Sequence, residues 1–563
     1  MEIKKHIHKK DIIFFVGLFI LAVFSFWRAH YGAEAYDEPF YLTIPYRMVK
    51  GDVLFLHEWH GSQLSAFILY PFVKVYLLIF KSTEGIILFF RYLYIIINAI
   101  ASVAVYSRLR QFGISGSVAV LFYYIFVPYN ILALSYNSMG YMFILLSSAF
   151  IATNFNNSKA VYFVSGIFFA GAVLCQPVLA LFFFVAFAVT CIVSIAKKNR
   201  NFMKNYGVFA VGCATPALPI VIYFFDKIGF NNVAVSLKMI TEDPEHNQSF
   251  FYSLYRIYTS YSLGSFAYTF LLFIILLFLS LIFIKRKRCN CFFAMISFVP
   301  VIYFVFKVAS YSSFSFINIL YFPICLSGMI AALGIKGKKI KRYFFISLVF
   351  SIIHFFSFIS SNQYKYVMTP ALMPTYVASI IVCWKLIEEN HSEVKKWMKV
   401  MYKAGMAISL SAVIILTGYY RYEGIFSYSG QRTIKEMTTC VDTGCYAGAL
   451  SSKDIYNEID NYKADYDQCQ FTKDDKVLIL SARTWLTLEN PGVTAQYSAW
   501  LSGIGESTIE RLNEYYKLNP ERKPDYVYIC KDEAKENNYD IIKWAEKNNC
   551  KVKESPLSYV IYL

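Results

Sequence analysis

The sequence predicts a polytopic α-helical membrane protein, of about 13 transmembrane helices, that carries a small C-terminal α/β domain. Three observations lead there. Charged residues make up 16% of the 563 and hydrophobic residues 57%, where a soluble domain carries roughly a quarter charged. Apolar runs of roughly 17–22 residues, the length a bilayer core requires, recur from the start to residue 420. Beyond that point short strand-like runs alternate with helical patterns.

The elements follow in order. A basic start precedes an apolar run from Ile12 to Trp27. No small-x-small site follows, so it reads as a retained anchor rather than a cleaved signal. Spans are expected near 11–30, 85–106, 116–134, 138–153, 160–174, 178–195, 206–225, 264–284, 291–308, 314–333, 343–360, 367–385 and 404–420. The stretch from Leu64 to Phe80 is short and carries Pro71 and Lys74, and it is read as non-crossing. Were it to cross, Arg108 and Arg110 would face outward and every later basic cluster would lie on the wrong side.

The net charge is +17, yet residues 421–563 hold about 18 Lys/Arg against about 22 Asp/Glu. The positive excess therefore lies between spans. Lys4-Lys5, Lys197-Lys198, Lys285-Arg286-Lys287-Arg288 and Lys338-Lys339 read as cytoplasmic loops. Nucleic acid is excluded as a partner, and the bilayer is implied. The N-terminus is expected in the cytoplasm of a multi-pass cell-membrane protein. The segments 31–84, 226–262 and 421–563 are expected outside, the first forming short helices flat on the membrane.

Two domains result: 1–420 in the membrane and 421–563 soluble. In the latter, Lys476–Ser481, Tyr526–Cys530 and Tyr559–Tyr562 read as strands, with helices at about 504–518 and 536–549. Seven of the 12 cysteines lie in apolar segments. Cys440, Cys445, Cys469, Cys530 and Cys550 match no zinc spacing, which leaves disulfides or free thiols.

Chemistry concentrates after the first span. Tyr36-Asp37-Glu38 places two carboxylates where the chain emerges into water, and ionisable groups there usually mark function. Asp37 can serve as a general base, or as a helix cap, since Pro39 favours a first turn. Lys74, Arg91, Arg256, Lys307 and Lys365 are candidate phosphate cations. Lys74 and Lys307 also fit simple snorkelling to the interface. His57-Glu58-Trp59-His60 has metal-capable side chains without zincin spacing. Glu242-Asp243 with Glu245 and His246 forms a second acidic patch. Both read first as ordinary polar loops, and a divalent ion is left open.

Read together, these residues resemble the C-type glycosyltransferase superfamily, near the protein O-mannosyltransferases and the aminoarabinose transferases of lipid A. Tyr36-Asp37-Glu38 follows the first span. Gly51-Asp52 and His60-Gly-Ser-Gln63 then lead into an apolar helix. Gly166 to Pro177 is similar to the family's Gly-rich span, and Gln363 to Pro374 to its late Tyr-x-x-x-Pro pattern. Departures are that Gln176 stands where Lys is common, and that His60-Gly-Ser-Gln63 replaces a Lys-Pro-Pro motif.

The resemblance implies transfer of a sugar from a polyprenyl-phosphate donor to a glycan, lipid or protein acceptor at the extracytoplasmic face. Asp37 would be the base and Glu38 a second carboxylate. Arg91, Arg256, Lys365, His60 and Gln63 would contact the donor. Competing readings are a transporter or flippase of lipid-linked glycans, a glycan polymerase, and a membrane anchor presenting residues 421–563. A transporter would show repeats and mid-membrane charges, whereas the polar features here cluster at one end.

Overall fold

The structure, a computed structural model, describes residues 9–34, 36–242, 251–252, 255, 274–283, 320–358, 368–389, 394–425, 433–501, 506–533 and 536–563. The membrane part contains helices α1 (Lys9–Ala29), α2 (Asp37–Val49), α3 (Ala66–Phe80), α4 (Ile86–Leu109), α5 (Ile114–Ile125), α6 (Tyr136–Ala152) and α7 (Lys159–Cys175). They are followed by α8 (Leu179–Ala196), α9 (Asn201–Lys227), α10 (Phe230–Thr241), α11 (Phe322–Gly334), α12 (Lys338–Ser357), α13 (Met368–Glu389) and α14 (Lys396–Glu423).

Among the described residues, 8 helices are long and apolar enough to cross a bilayer. Thirteen spans are not confirmed among the described residues, where α5, α6 and α7 are shorter apolar helices. The span expected at 291–308 lies outside the described residues, and those at 264–284 and 314–333 do so in part. The span expected at 116–134 is corrected outright. Helix α5 has 12 residues and stops at Ile125, ahead of Pro128. The chain then turns through Tyr129 and Asn130 at φ 54° and 61°. Residues 126–135 form an irregular segment that is buried throughout, and only protein cover permits such backbone within an apolar bundle. Ser135 and Ser138 close a capping box that starts α6.

Helix α3 is long and apolar enough to span, yet both its flanks touch the C-terminal domain. Before it, the Trp59 N–H donates to the Tyr497 carbonyl at 2.7 Å. After it, the Gly85 N–H donates to the Gly444 carbonyl at 3.0 Å. Gly85 sits at φ 73°, where a side chain would be strained. The helix thus returns the chain to the end it left. At the opposite end, Arg110 pairs with Asp11 at 2.6 Å and Lys10 donates to the Arg110 carbonyl at 3.1 Å. Lys10 and Arg110 share one end of the bundle.

Small residues bring helices close. The Ser147 and Ser165 hydroxyls meet at 2.9 Å between α6 and α7. A Cβ on Gly166 would strike the Phe209 carbonyl of α9, and one on Gly212 the Phe163 carbonyl of α7.

The C-terminal region holds a five-stranded sheet in the order β4-β3-β5-β7-β6. Its strands are β3 (Lys476–Leu480), β4 (Val493–Thr494), β5 (Tyr526–Cys530), β6 (Lys551–Glu554) and β7 (Ser558–Tyr562); a separate pair is β1 (Thr439–Cys440) with β2 (Leu450–Ser451). Strand β3 pairs in parallel with β4 and β5, while β7 runs antiparallel to β5 and β6. Helices α15 (Lys453–Asp467), α16 (Trp485–Glu489), α17 (Glu506–Leu518) and α18 (Glu536–Lys547) intervene. The three expected strands and two expected helices are all present. The five C-terminal cysteines are free thiols.

Candidate functional site

The polar corner forms where α1 ends. The sequence from Asp37 to Val49 opens on two acids and Pro39, and acids in a first turn suit the positive end of a helix. The helix is capped, but not by Asp37. The Glu34 carboxylate accepts the backbone N–H groups of Tyr36 at 2.9 Å and Glu38 at 2.7 Å. Glu34 is 3% exposed. Burial, and then the charge of Asp37, hold its carboxyl well above the usual carboxylate range.

Asp37 is half-buried. It has no hydrogen-bond or ion-pair partner among the described residues, and burial pushes its carboxyl up to about 6. Its charge reaches the hydroxyls of Tyr41, Tyr129 and Tyr136. Tyr41 and Tyr136 meet edge to face at 5.8 Å. Two of these three tyrosines flank or belong to the irregular segment after α5. The break in that expected span therefore builds the wall that Asp37 faces.

Glu38 is spoken for. Arg91 of α4 grips it with both arms, Nε to Oε1 at 2.6 Å and Nη2 to Oε2 at 2.5 Å. The remaining contacts of Arg91 go to the carbonyls of Ala29 at 2.7 Å and Gly32 at 2.8 Å. Both partners are about 5% exposed. Arg91, offered above to a donor phosphate, is instead committed to fixing Glu38 and the end of α1. Beside it Arg28 donates to the carbonyls of Arg421 at 2.7 Å and Tyr31 at 2.8 Å. A cavity of about 20 Å³, room for roughly one water, lies among Arg28, Glu34, Glu38, Arg91 and Asn130.

His60 joins the same wall. Its ring lies 4.8 Å from Phe40 and 6.2 Å from Tyr136, with Nδ1 2.8 Å from the Ser62 hydroxyl. Gln63 is buried; its Oε1 accepts the Phe55 N–H at 2.7 Å, so it shapes the loop from within. Lys74 lies over the Tyr70 ring at 5.6 Å. Gln176 accepts a hydrogen bond from Ser357. Arg256, Lys307, Lys365, Asp243, Glu245 and His246 lie outside the described residues.

The metal-capable loop separates onto different partners. The His57 Nδ1 accepts the Val53 N–H at 2.9 Å, and Glu58 pairs with Arg47 at 2.6 Å. Burial, then Arg522, bring the His57 imidazole down to about 4. Burial pushes Glu58 up to about 7 against the pull of Arg47. Among the described residues no three His, Cys, Asp or Glu side chains gather as a metal site.

The sequence reading missed the share of the C-terminal domain. The Tyr446 hydroxyl donates to the Glu34 carbonyl, and the Thr484 hydroxyl to the Tyr36 carbonyl at 2.6 Å. Arg47, 2% exposed, is a staple. It reaches Asp52 at 2.7 Å, Glu58, and the carbonyls of His57 at 2.6 Å and Gln496 at 2.9 Å. Arg522 adds a 2.7 Å pair to Asp52. Trp59 stacks on Tyr497 at 5.5 Å inside the core of the sheet domain. No local motif signals the contacts with the C-terminal domain, because each of those joins residues more than 400 positions apart.

No known family model matches this chain, and no curated protein matches it either.

Proposed function

We propose that this protein is a membrane glycosyltransferase. It moves a sugar from a polyprenyl-phosphate donor to a glycan, lipid or protein acceptor at the extracytoplasmic face. The observation that carries the reading is Asp37. Among the described residues it is an unpartnered carboxylate just after the first span, desolvated enough to titrate at about 6. Such a group is ionised at neutral pH and more basic than an ordinary aspartate, as a general base should be.

In this reading Asp37 takes the proton of the acceptor hydroxyl or amine as the new glycosidic bond forms. The lipid phosphate departs with the electron pair of the old bond. Glu38 is held off the reaction by Arg91 and positions the helix turn that presents Asp37. The phosphate falls to Arg256 and Lys365, with His60 and the tyrosine wall beside the sugar. Positive charge at the leaving group stabilises what develops there.

The test is sugar transfer in membranes supplied with a radiolabelled polyprenyl-phosphate sugar. Loss of a general base costs on the order of 10²–10⁴-fold, so Asp37→Asn should lose most of the transfer. Undiminished transfer by that variant would remove the base and the reading with it.

A further inference from the structure

A second feature lies at the far end of the bundle from Asp37. Helices α1, α5, α13 and α14 leave between them an apolar groove of about 740 Å³. Leu21, Leu121, Phe122, Ile387, Leu410 and Ile414 are among its lining residues. Trp384, Glu388 and Lys403 close one end. Glu388 is already paired with Lys385 at 2.5 Å and accepts the Trp384 indole N–H at 3.0 Å. Lys403 is exposed and has no ion-pair partner among the described residues. It projects from the first two turns of α14, which also carry Lys396 and Lys399.

The location decides the occupant. This is the end that holds Lys10 and Arg110, and basic ends of spans face the leaflet rich in anionic lipid. An extended peptide would bring backbone groups that the apolar walls cannot satisfy. An acyl chain brings none. We propose that this groove holds one acyl chain of an anionic glycerophospholipid, whose phosphate sits on Lys403. The site is distinct from the proposed transfer site: Lys403 lies toward the opposite end of α14 from Arg421, whose carbonyl accepts from Arg28 beside Glu38.

The experiment uses the full chain reconstituted in phosphatidylcholine vesicles containing a minor fraction of brominated lipid. Trp384 lines the groove, and bromine quenches indole fluorescence on contact. The chain has 7 tryptophans, so the signal is the wild-type quenching minus that of Trp384→Phe. Brominated phosphatidylglycerol should quench Trp384 severalfold more than brominated phosphatidylcholine at equal fraction. Lys403→Glu should erase the preference, and Ala407→Phe, which fills the groove, should reduce quenching by both lipids. Equal quenching by the two lipids would overturn the proposal. So would a preference that survives Lys403→Glu, or displacement by polyprenyl phosphate but not by phosphatidylglycerol.

Discussion

Replacing Asp37 with Asn should make the protein more stable, and the gain should depend on pH. A carboxyl that titrates at about 6 in the folded chain and near 3.8 when unfolded binds more protons folded than unfolded between those values. Stability therefore falls as pH rises through that window and stays low above it. Each pH unit between the two values is worth about 1.4 kcal/mol, so the charged form costs roughly 2–3 kcal/mol at pH 7. The helix N-terminus returns about 0.3–1 kcal/mol to a charge there, which is too little to reverse the sign. Asparagine has nearly the same shape and no charge to desolvate. The measurement is unfolding of the purified protein in mixed micelles by titrated dodecyl sulfate, at pH 4, 5.5 and 7. The variant should match wild type at pH 4 and exceed it by roughly 2–3 kcal/mol at pH 7. A variant less stable than wild type at pH 7, or a gap that ignores pH, would show that Asp37 is a structural carboxylate and would refute the argument.

Four other outcomes are expected. Sugar transfer should drop about tenfold between pH 7 and pH 5, as Asp37 takes up its proton; a flat profile in a rate assay would count against it. Arg91→Gln leaves Glu38 buried without its cation and should cost about 3–5 kcal/mol in the same unfolding titration, with Glu38→Gln on top restoring part of the loss. Arg47→Met should cost about 3–5 kcal/mol and speed tryptic release of the C-terminal domain, because Asp52 and Glu58 lose their shared guanidinium. Gly166→Ala should push α7 from α9 and cost about 1–3 kcal/mol, since the Phe209 carbonyl occupies the space of the new methyl.

Much of the fold was legible because it rests on local pattern. Apolar length marked α1, α4, α8 and α9, and alternation marked β3, β5 and β7. The break after Ile125 was hidden: Phe126 to Ala133 is apolar enough to pass for helix, and only tertiary burial lets it leave helical form. The site divides in the same way. Asp37 and Glu38 stood out as adjacent acids at the end of a span. Glu34 did not, since its capping role depends on a turn through Tyr36 rather than on spacing. Arg91 was noticed as a charge inside an apolar run, but sequence could not tell a phosphate partner from Glu38. Tyr446 and Thr484 were invisible because their partners are the carbonyls of Glu34 and Tyr36, which no side-chain pattern reports.

The position of Trp59 bears on how the molecule is made. Its indole packs on Tyr497 and Tyr515 in a cluster that also holds Leu478 and Ile561, all translated long after it. While the ribosome works through the intervening helices, that bulky ring has no home, and the loop around it must wait exposed. That cluster is complete only once the strand Ser558–Tyr562, which carries Ile561, has joined it. A nascent chain stopped short of that strand would carry its apolar helices while the packing around Trp59 stayed incomplete.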